Sequence, residues 1–232
     1  MYQEIFIFLT YGGGSSSRSR KPGYSSAEHL LDHNPALFWL QLNTMLLTLE
    51  SSYPDLQHFL GIPWCAKHLR MAGVQISTGP GRHPNVSGED EVWFRTLNTS
   101  NTIPYFIAFY PTPQGDKPPI SEVYAFATLQ SGVQGFPGQV QGGIIATLLD
   151  GIAGLIPGFN RQRGVWAAVP FVTAHMNIIY VQPVAAPGTV ILSARITKVE
   201  GRKVFVEASV RDDGGNVLAR ADILFIETTA RL

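Results

Sequence analysis

Gln141-Gly142-Gly143-Ile144-Ile145-Ala146-Thr147-Leu148-Leu149-Asp150-Gly151-Ile152-Ala153-Gly154 is the stretch on which the fold turns. Two glycines open it, and its apolar residues recur at helical spacing. At about 100° per residue, Gly143, Ala146, Thr147, Ala153 and Gly154 fall within about 60° of Asp150. Ile144, Ile145, Leu148, Leu149, Ile152, Leu155 and Ile156 fall on the other side. A surface helix sets Lys, Glu and Gln opposite its apolar stripe. This one sets Gly, Ala and a single carboxylate there. The pattern predicts a helix buried on all sides, its small face against a neighbouring backbone. A lone helical Asp is ordinarily solvated, but a carboxylate in this setting costs several kcal/mol unless it is paired or used. Glycines at 143, 151 and 154 each cost roughly 1 kcal/mol against Ala. A helix tolerates that where something approaches its backbone closely, and Asp150 is therefore the leading candidate functional group.

Working outward, strands flank the helix. Val92 to Thr96, Tyr105 to Tyr110 and Val123 to Leu129 are aromatic and β-branched, and read as strands. Pro111 to Pro119 is a proline-rich connection, and Ser131 to Gln141 a loop that turns tightly into the helix. Downstream, Trp166 to Val181 alternates in its second half. Val172, Ala174, Met176, Ile178 and Tyr180 fall on one face, and Thr173, His175 and Asn177 on the other. Val190 to Val199, Val204 to Arg211 and Val217 to Ile226 follow as strands. Gly201 and the run Asp213 to Asn216 supply hairpin turns. The order is strands, one long helix, then a four-strand meander. That predicts an α+β domain with a curved antiparallel sheet wrapped around one central helix.

The N-terminal part is different. Residues 1–26 hold a Gly/Ser/Arg stretch and read as a linker or disordered start. Residues 27–90 read as a helical extension packed on the core, and 91–232 as the sheet-and-helix domain. Asn34-Pro35 looks like a cap followed by a first-turn proline, opening a helix over Ala36 to Glu50. Pro54 to Ala72 reads as a second helix, broken or kinked at Gly61-Ile62-Pro63. Thr78 to Asp90 is loop.

Composition narrows the function classes. Of 232 residues, 45% are hydrophobic and 15% charged, enough for a sizeable core under a surface sparse in charge. Lys plus Arg and Asp plus Glu number 17 each, so the chain carries no basic footprint for nucleic acid. Sparse charge at net zero favours self-association. The single cysteine, Cys65, excludes an internal disulfide and reads as a small buried hydrophobe rather than a nucleophile. No stretch reaches about 20 apolar residues, so no membrane span is expected. Ile5 to Leu9 lacks a basic flank and makes a poor secretory signal. A cytoplasmic location is expected, with a mitochondrial presequence the other option.

The run Gly-Gly-x-x-x-Thr-Leu-Leu-Asp (Gly142 to Asp150), the strand Met176 to Pro183 and the turn Gly201-Arg202-Lys203 together resemble the hotdog-fold thioesterases of the phenylacetyl-CoA and 4-hydroxybenzoyl-CoA type. The upstream piece Val92 to Ile103 looks like a fungal branch of that superfamily. The resemblance spans roughly residues 60 to 228. It implies hydrolysis of an acyl-CoA or acyl-carrier-protein thioester by a homodimer or a tetramer of dimers. Asp150 would be general base or nucleophile, and the Gly142 N–H, at the positive helix end, the oxyanion donor. Thr173, on the next strand, would hold the water or the carboxylate. Gly142 and Asp150 are two turns, about 12 Å, apart, so the resemblance implies that one carbonyl is served by two subunits. Gln141, Gly143 and Gly135 would line the substrate site, and Arg202 and Lys203 would meet the phosphates of coenzyme A.

This chain departs from the family pattern twice. Gln141 stands where the family has His, and Gly135 where it often has Asn. A neutral amide donates a hydrogen bond but does not titrate near pH 7. These departures motivate the alternative of a non-hydrolytic hotdog enzyme of fungal secondary metabolism (cyclase, dehydratase or isomerase). A third reading is a binding protein with a dead site. His175 reads as an exposed strand histidine, and Asn177 as a backbone brace. His29, His33, His58, His68 and His83 lack a metal-ligand spacing, so no metal and no cofactor are expected.

Overall fold

The computed structural model describes residues 54–79, 82 and 90–228. The linker expected over 1–26 and the helix expected over 36–50 lie outside them. A seven-stranded antiparallel sheet holds the domain together, in the spatial order β1-β2-β3-β7-β8-β9-β6. Its strands are β1 (Val74–Thr78), β2 (Tyr105–Pro111), β3 (Glu122–Leu129), β6 (Phe171–Tyr180), β7 (Gly188–Glu200), β8 (Lys203–Arg211) and β9 (Val217–Glu227). A small hairpin, β4 (Gln134–Phe136) and β5 (Gln139–Val140), leads into the long helix α3 (Gly142–Gln162). Two short helices, α1 (Pro54–Leu60) and α2 (Pro63–Leu69), precede β1. They break at Gly61-Ile62 as the proline at position 63 foretells. This is the hotdog arrangement: a curved sheet around one helix.

Small residues let the sheet close on the helix. Ala108 lies opposite Ala125, and Ala194, Ala208 and Ala221 line up across three strands. All are buried in the cluster that holds Leu148, Leu149, Ile152 and Ile156 of α3. On the other face of the sheet, Leu56 and Phe59 of α1 and Leu69 of α2 cover Ile107, Phe109 and Phe126. By length and composition α3 is apolar enough to cross a bilayer, contrary to the expectation that no stretch is. Its apolar side is already covered by the sheet.

Four expectations need correction. Val92–Thr96 is one π-helical turn, not a strand; its aromatic and β-branched residues serve packing, with Trp93 buried against Phe106 and α3. Val74–Thr78, within residues 27–90 expected as a helical extension, is a sheet strand paired with β2. The last four strands do not form a simple meander: β6 joins the far edge beside β9, and the chain then crosses under the start of α3, where Val140 N donates to Val184 O, to reach β7 at the centre. Finally, α3 is not buried all round. Gly143 is exposed, and Ala146, Thr147, Asp150, Gly154 and Gly158 are half-buried, so the small face is open on the single chain.

Ala153 is the buried exception on that face, and at its edge Gly151 is covered by Trp93. A Cβ there would lie 2.4 Å from Cζ2 of the Trp93 indole. Gly151→Ala should therefore destabilise the fold by about 1–3 kcal/mol through overpacking. Urea denaturation checks this, and Gly151→Ala combined with Trp93→Leu should recover part of the loss.

His58 ties α1 to the sheet. Its Nε2 lies 2.8 Å from Thr128 Oγ1, and its ring stacks on Tyr105 at 3.8 Å. Burial pushes the imidazole below the ordinary histidine range, with the nearby Asp55 carboxylate pulling the other way. A depressed folded-state value means that protons bind the unfolded chain more readily. The stability held at pH 7.5 should fall as pH drops below about 6.5, the ordinary histidine value, and through the lowered one. Denaturant midpoints from pH 7.5 to 5 should show a steeper acid loss for the wild type than for His58→Asn. Burial likewise pushes the Cys65 thiol up to about 12, which fits an inert core residue.

Candidate active site

The start of α3 is built by Gln141. Its backbone is extended, and its side-chain Oε1 accepts from the amides of Gly143 (2.5 Å) and Ile144 (3.1 Å). Helix starts leave amides without intrahelical partners, and short side chains such as Ser or Asp ordinarily cap them. Gln is longer and must fold back. Two glycines make room. A Cβ at Gly143 would sit 2.8 Å from Gln141 Oε1, and one at Gly135 would sit 3.1 Å from Gln141 Cα and Cγ. Gln141, Gly143 and Gly135 are therefore one packed unit, and the two departures from the family pattern touch each other. Because Oε1 takes two donors, Nε2 is the end of this carboxamide left to donate.

Of the amides at this helix start, that of Gly142 has no acceptor among the described residues. It is the open donor at the positive helix end. Tyr180 of β6 donates from Oη to Gly142 O at 3.1 Å.

Two turns along, Asp150 Oδ1 accepts from Thr173 Oγ1 at 2.7 Å. The strict alternation expected for β6 would have put Thr173 on the face opposite Met176, Ile178 and Tyr180. A register shift between Thr173 and His175 adds one residue, Ala174, to β6. Such a bulge re-aims the side chains on one side of it. Thr173 then pairs with buried Phe225, as Met176 pairs with buried Ile223 and Ile178 with buried Ala221. The bulge thus turns Thr173 toward the helix.

Other candidates lie elsewhere. His175 and Asn177 are exposed on the outer face, opposite Leu224 and Asp222. Arg202 and Lys203 are exposed at the β7–β8 turn, at the Phe171 end of the sheet and so nearer the Asp150 side than Gly142. No cluster of His, Cys, Asp and Glu fit for a metal occurs among the described residues. Reading the sequence missed Tyr180 and Trp93 as neighbours of the site. For both, the signal was the adjacent bare backbone of Gly142 and Gly151.

The fold and this helix define a class. Residues 138–219 match the family model of the thioesterase superfamily. Among curated relatives, the acyl-coenzyme A thioesterase THEM4 of Rattus norvegicus is 34% identical over 96 residues, which is 41% of this chain and 38% of that protein. The Xenopus laevis protein of that name is 31% identical over 40% of its length. The chain thus spans well under half of these relatives. Verlamelin biosynthesis protein B of a Lecanicillium species is 28% identical, over 61% of this chain and 74% of that protein. Among solved structures, zebrafish thioesterase superfamily member 2 aligns with a TM-score of 0.45 at 16% identity, over 63% of this chain and 88% of that one.

Proposed function

We propose that this protein hydrolyses acyl-CoA thioesters, with Asp150 as general base and Gly142 as oxyanion donor. The observation that carries the reading is the Thr173–Asp150 hydrogen bond on the same helix as an open helix-start amide. Thr173 occupies one carboxylate oxygen and orients the other. That oxygen takes a proton from water as the water attacks the thioester carbonyl. The oxyanion forms against the Gly142 N–H. Collapse breaks the C–S bond, and the coenzyme A thiolate leaves with the proton from Asp150. Similarity to acyl-coenzyme A thioesterases supports this substrate class over a carrier-protein thioester.

The reading includes a homodimer. Eight residues of helix separate Asp150 from Gly142, about 12 Å, so the two serve one carbonyl only if the partner subunit's Gly142 approaches. The open small face of α3, the exposed apolar side chains Val172 and Ile179 of edge strand β6, and Val181 just beyond it suit such a seam. The β7–β8 turn with Arg202 and Lys203, near the Asp150 side, would then be placed for coenzyme A phosphates.

Similarity to a biosynthesis protein, together with Gln141, favours one second reading: a non-hydrolytic hotdog enzyme of secondary metabolism. A panel of acyl-CoAs of graded length separates the two. Thiol release supports the hydrolase. Conversion of a polyketide-like substrate without thiol release from any acyl-CoA supports the second reading.

A further inference from the structure

We propose that Tyr180 is a positioning residue for the oxyanion donor: its phenol pins the first peptide of α3 so that the Gly142 N–H stays aimed at the reacting carbonyl. This rests on reading Gly142 as that donor. Glycine has the widest backbone freedom of any residue, and the first helical turn is where intrahelical bonds are missing. The neighbouring amides of Gly143 and Ile144 are held by the Gln141 side chain, whereas that of Gly142 has no acceptor among the described residues; its peptide is held on the far side, where the Gln141 carbonyl accepts from Ile144 N and Ile145 N. Restraint from outside the helix reaches this residue at its carbonyl, through the Tyr180 Oη bond at 3.1 Å. The ring lies alongside as well: a Cβ at Gly142 would stand 3.7 Å from Cε1, Cζ and Oη of Tyr180.

Burial does not account for this tyrosine, which is 52% exposed on an edge strand. The same strand holds Asp150 through Thr173. One strand thereby fixes both candidate reacting groups of the helix. In a dimer it fixes Asp150 for one carbonyl and Gly142 for the other.

Tyr180→Phe keeps the ring and removes only the donor. Against the best acyl-CoA of the panel it should lower kcat about tenfold, as loosened positioning and a slackened oxyanion contact do, and leave KM within about twofold. In Tyr180→Phe combined with Gly142→Ala, the added methyl meets the ring at ordinary contact distance and narrows the backbone's freedom. That pair should regain at least half of the lost rate. By ¹⁵N relaxation the order parameter of the Gly142 amide should fall in Tyr180→Phe, while those of Gly143 and Ile144 stay. Wild-type kcat in Tyr180→Phe overturns the proposal, as does a rate loss with an unmoved Gly142 amide and no regain in the pair. If the wild type releases no thiol from any acyl-CoA, the hydrolase reading fails. The amide measurement then still decides whether Tyr180 restrains Gly142.

Discussion

Asp150→Asn should lower kcat for acyl-CoA hydrolysis by about a hundredfold or more, the usual loss when a positioned base is removed. The substitution is nearly isosteric. Its carboxamide oxygen can still accept the Thr173 hydroxyl that now reaches Oδ1. What disappears is the basic oxygen, so the loss belongs to chemistry rather than to geometry. KM should change little, because the interaction removed matters chiefly in the transition state. Steady-state rates by thiol release, together with a melting curve, check the point. A Tm near that of the wild type and a collapsed kcat are expected. Unchanged turnover would remove Asp150 from the mechanism.

Asn160→Ala should be strongly destabilising although it lies outside the site. Asn160 is wholly buried near the end of α3. Its Oδ1 accepts from Ile120 N at 2.7 Å, and its Nδ2 donates to Ile120 O at 2.8 Å and to Ile156 O at 3.0 Å. One side chain thus satisfies both backbone groups of a buried residue on the connection between β2 and β3. Alanine would strand that amide and that carbonyl, each at about 1–3 kcal/mol. A total loss of about 3 kcal/mol or more is expected from the urea midpoint. Arg163, which donates to Pro118 O at 2.8 Å, anchors the same connection and should keep part of it in place.

The helix and most strands were legible because periodicity reports burial directly. Leu148, Leu149, Ile152 and Ile156 are fully buried, as their spacing implies. The glycine-rich small face was legible as unusual, but its openness was not: a face kept small for a close approach and a face already covered have the same composition. Val92–Thr96 misled because aromatic and β-branched residues fit a packed turn as well as a strand. Val74–Thr78 escaped because three of its five residues are polar and it abuts a helix. The bulge at Ala174 could not be seen, since it exists only in the count of β6 against β9. Thr173 was therefore expected to contact Asp150 from a strand face that could not have reached it. Tyr180 was visible only as part of a motif. Its role at Gly142 depends on which strand ends up beside the helix start.

The extra residue in β6 also makes the site tolerant of a change that sequence comparison would treat as damaging. Deleting Ala174 would join Thr173 directly to His175, and uninterrupted pairing with β9 would keep Thr173 opposite Phe225 and His175 opposite Leu224. Side chains alternate along a regular strand, so the Thr173 hydroxyl would stay on the side of the carboxylate while Tyr180 stayed in place. Such a one-codon loss should give a well-folded protein whose two anchors still act together, detectable as a normal melting curve with turnover close to that of the wild type.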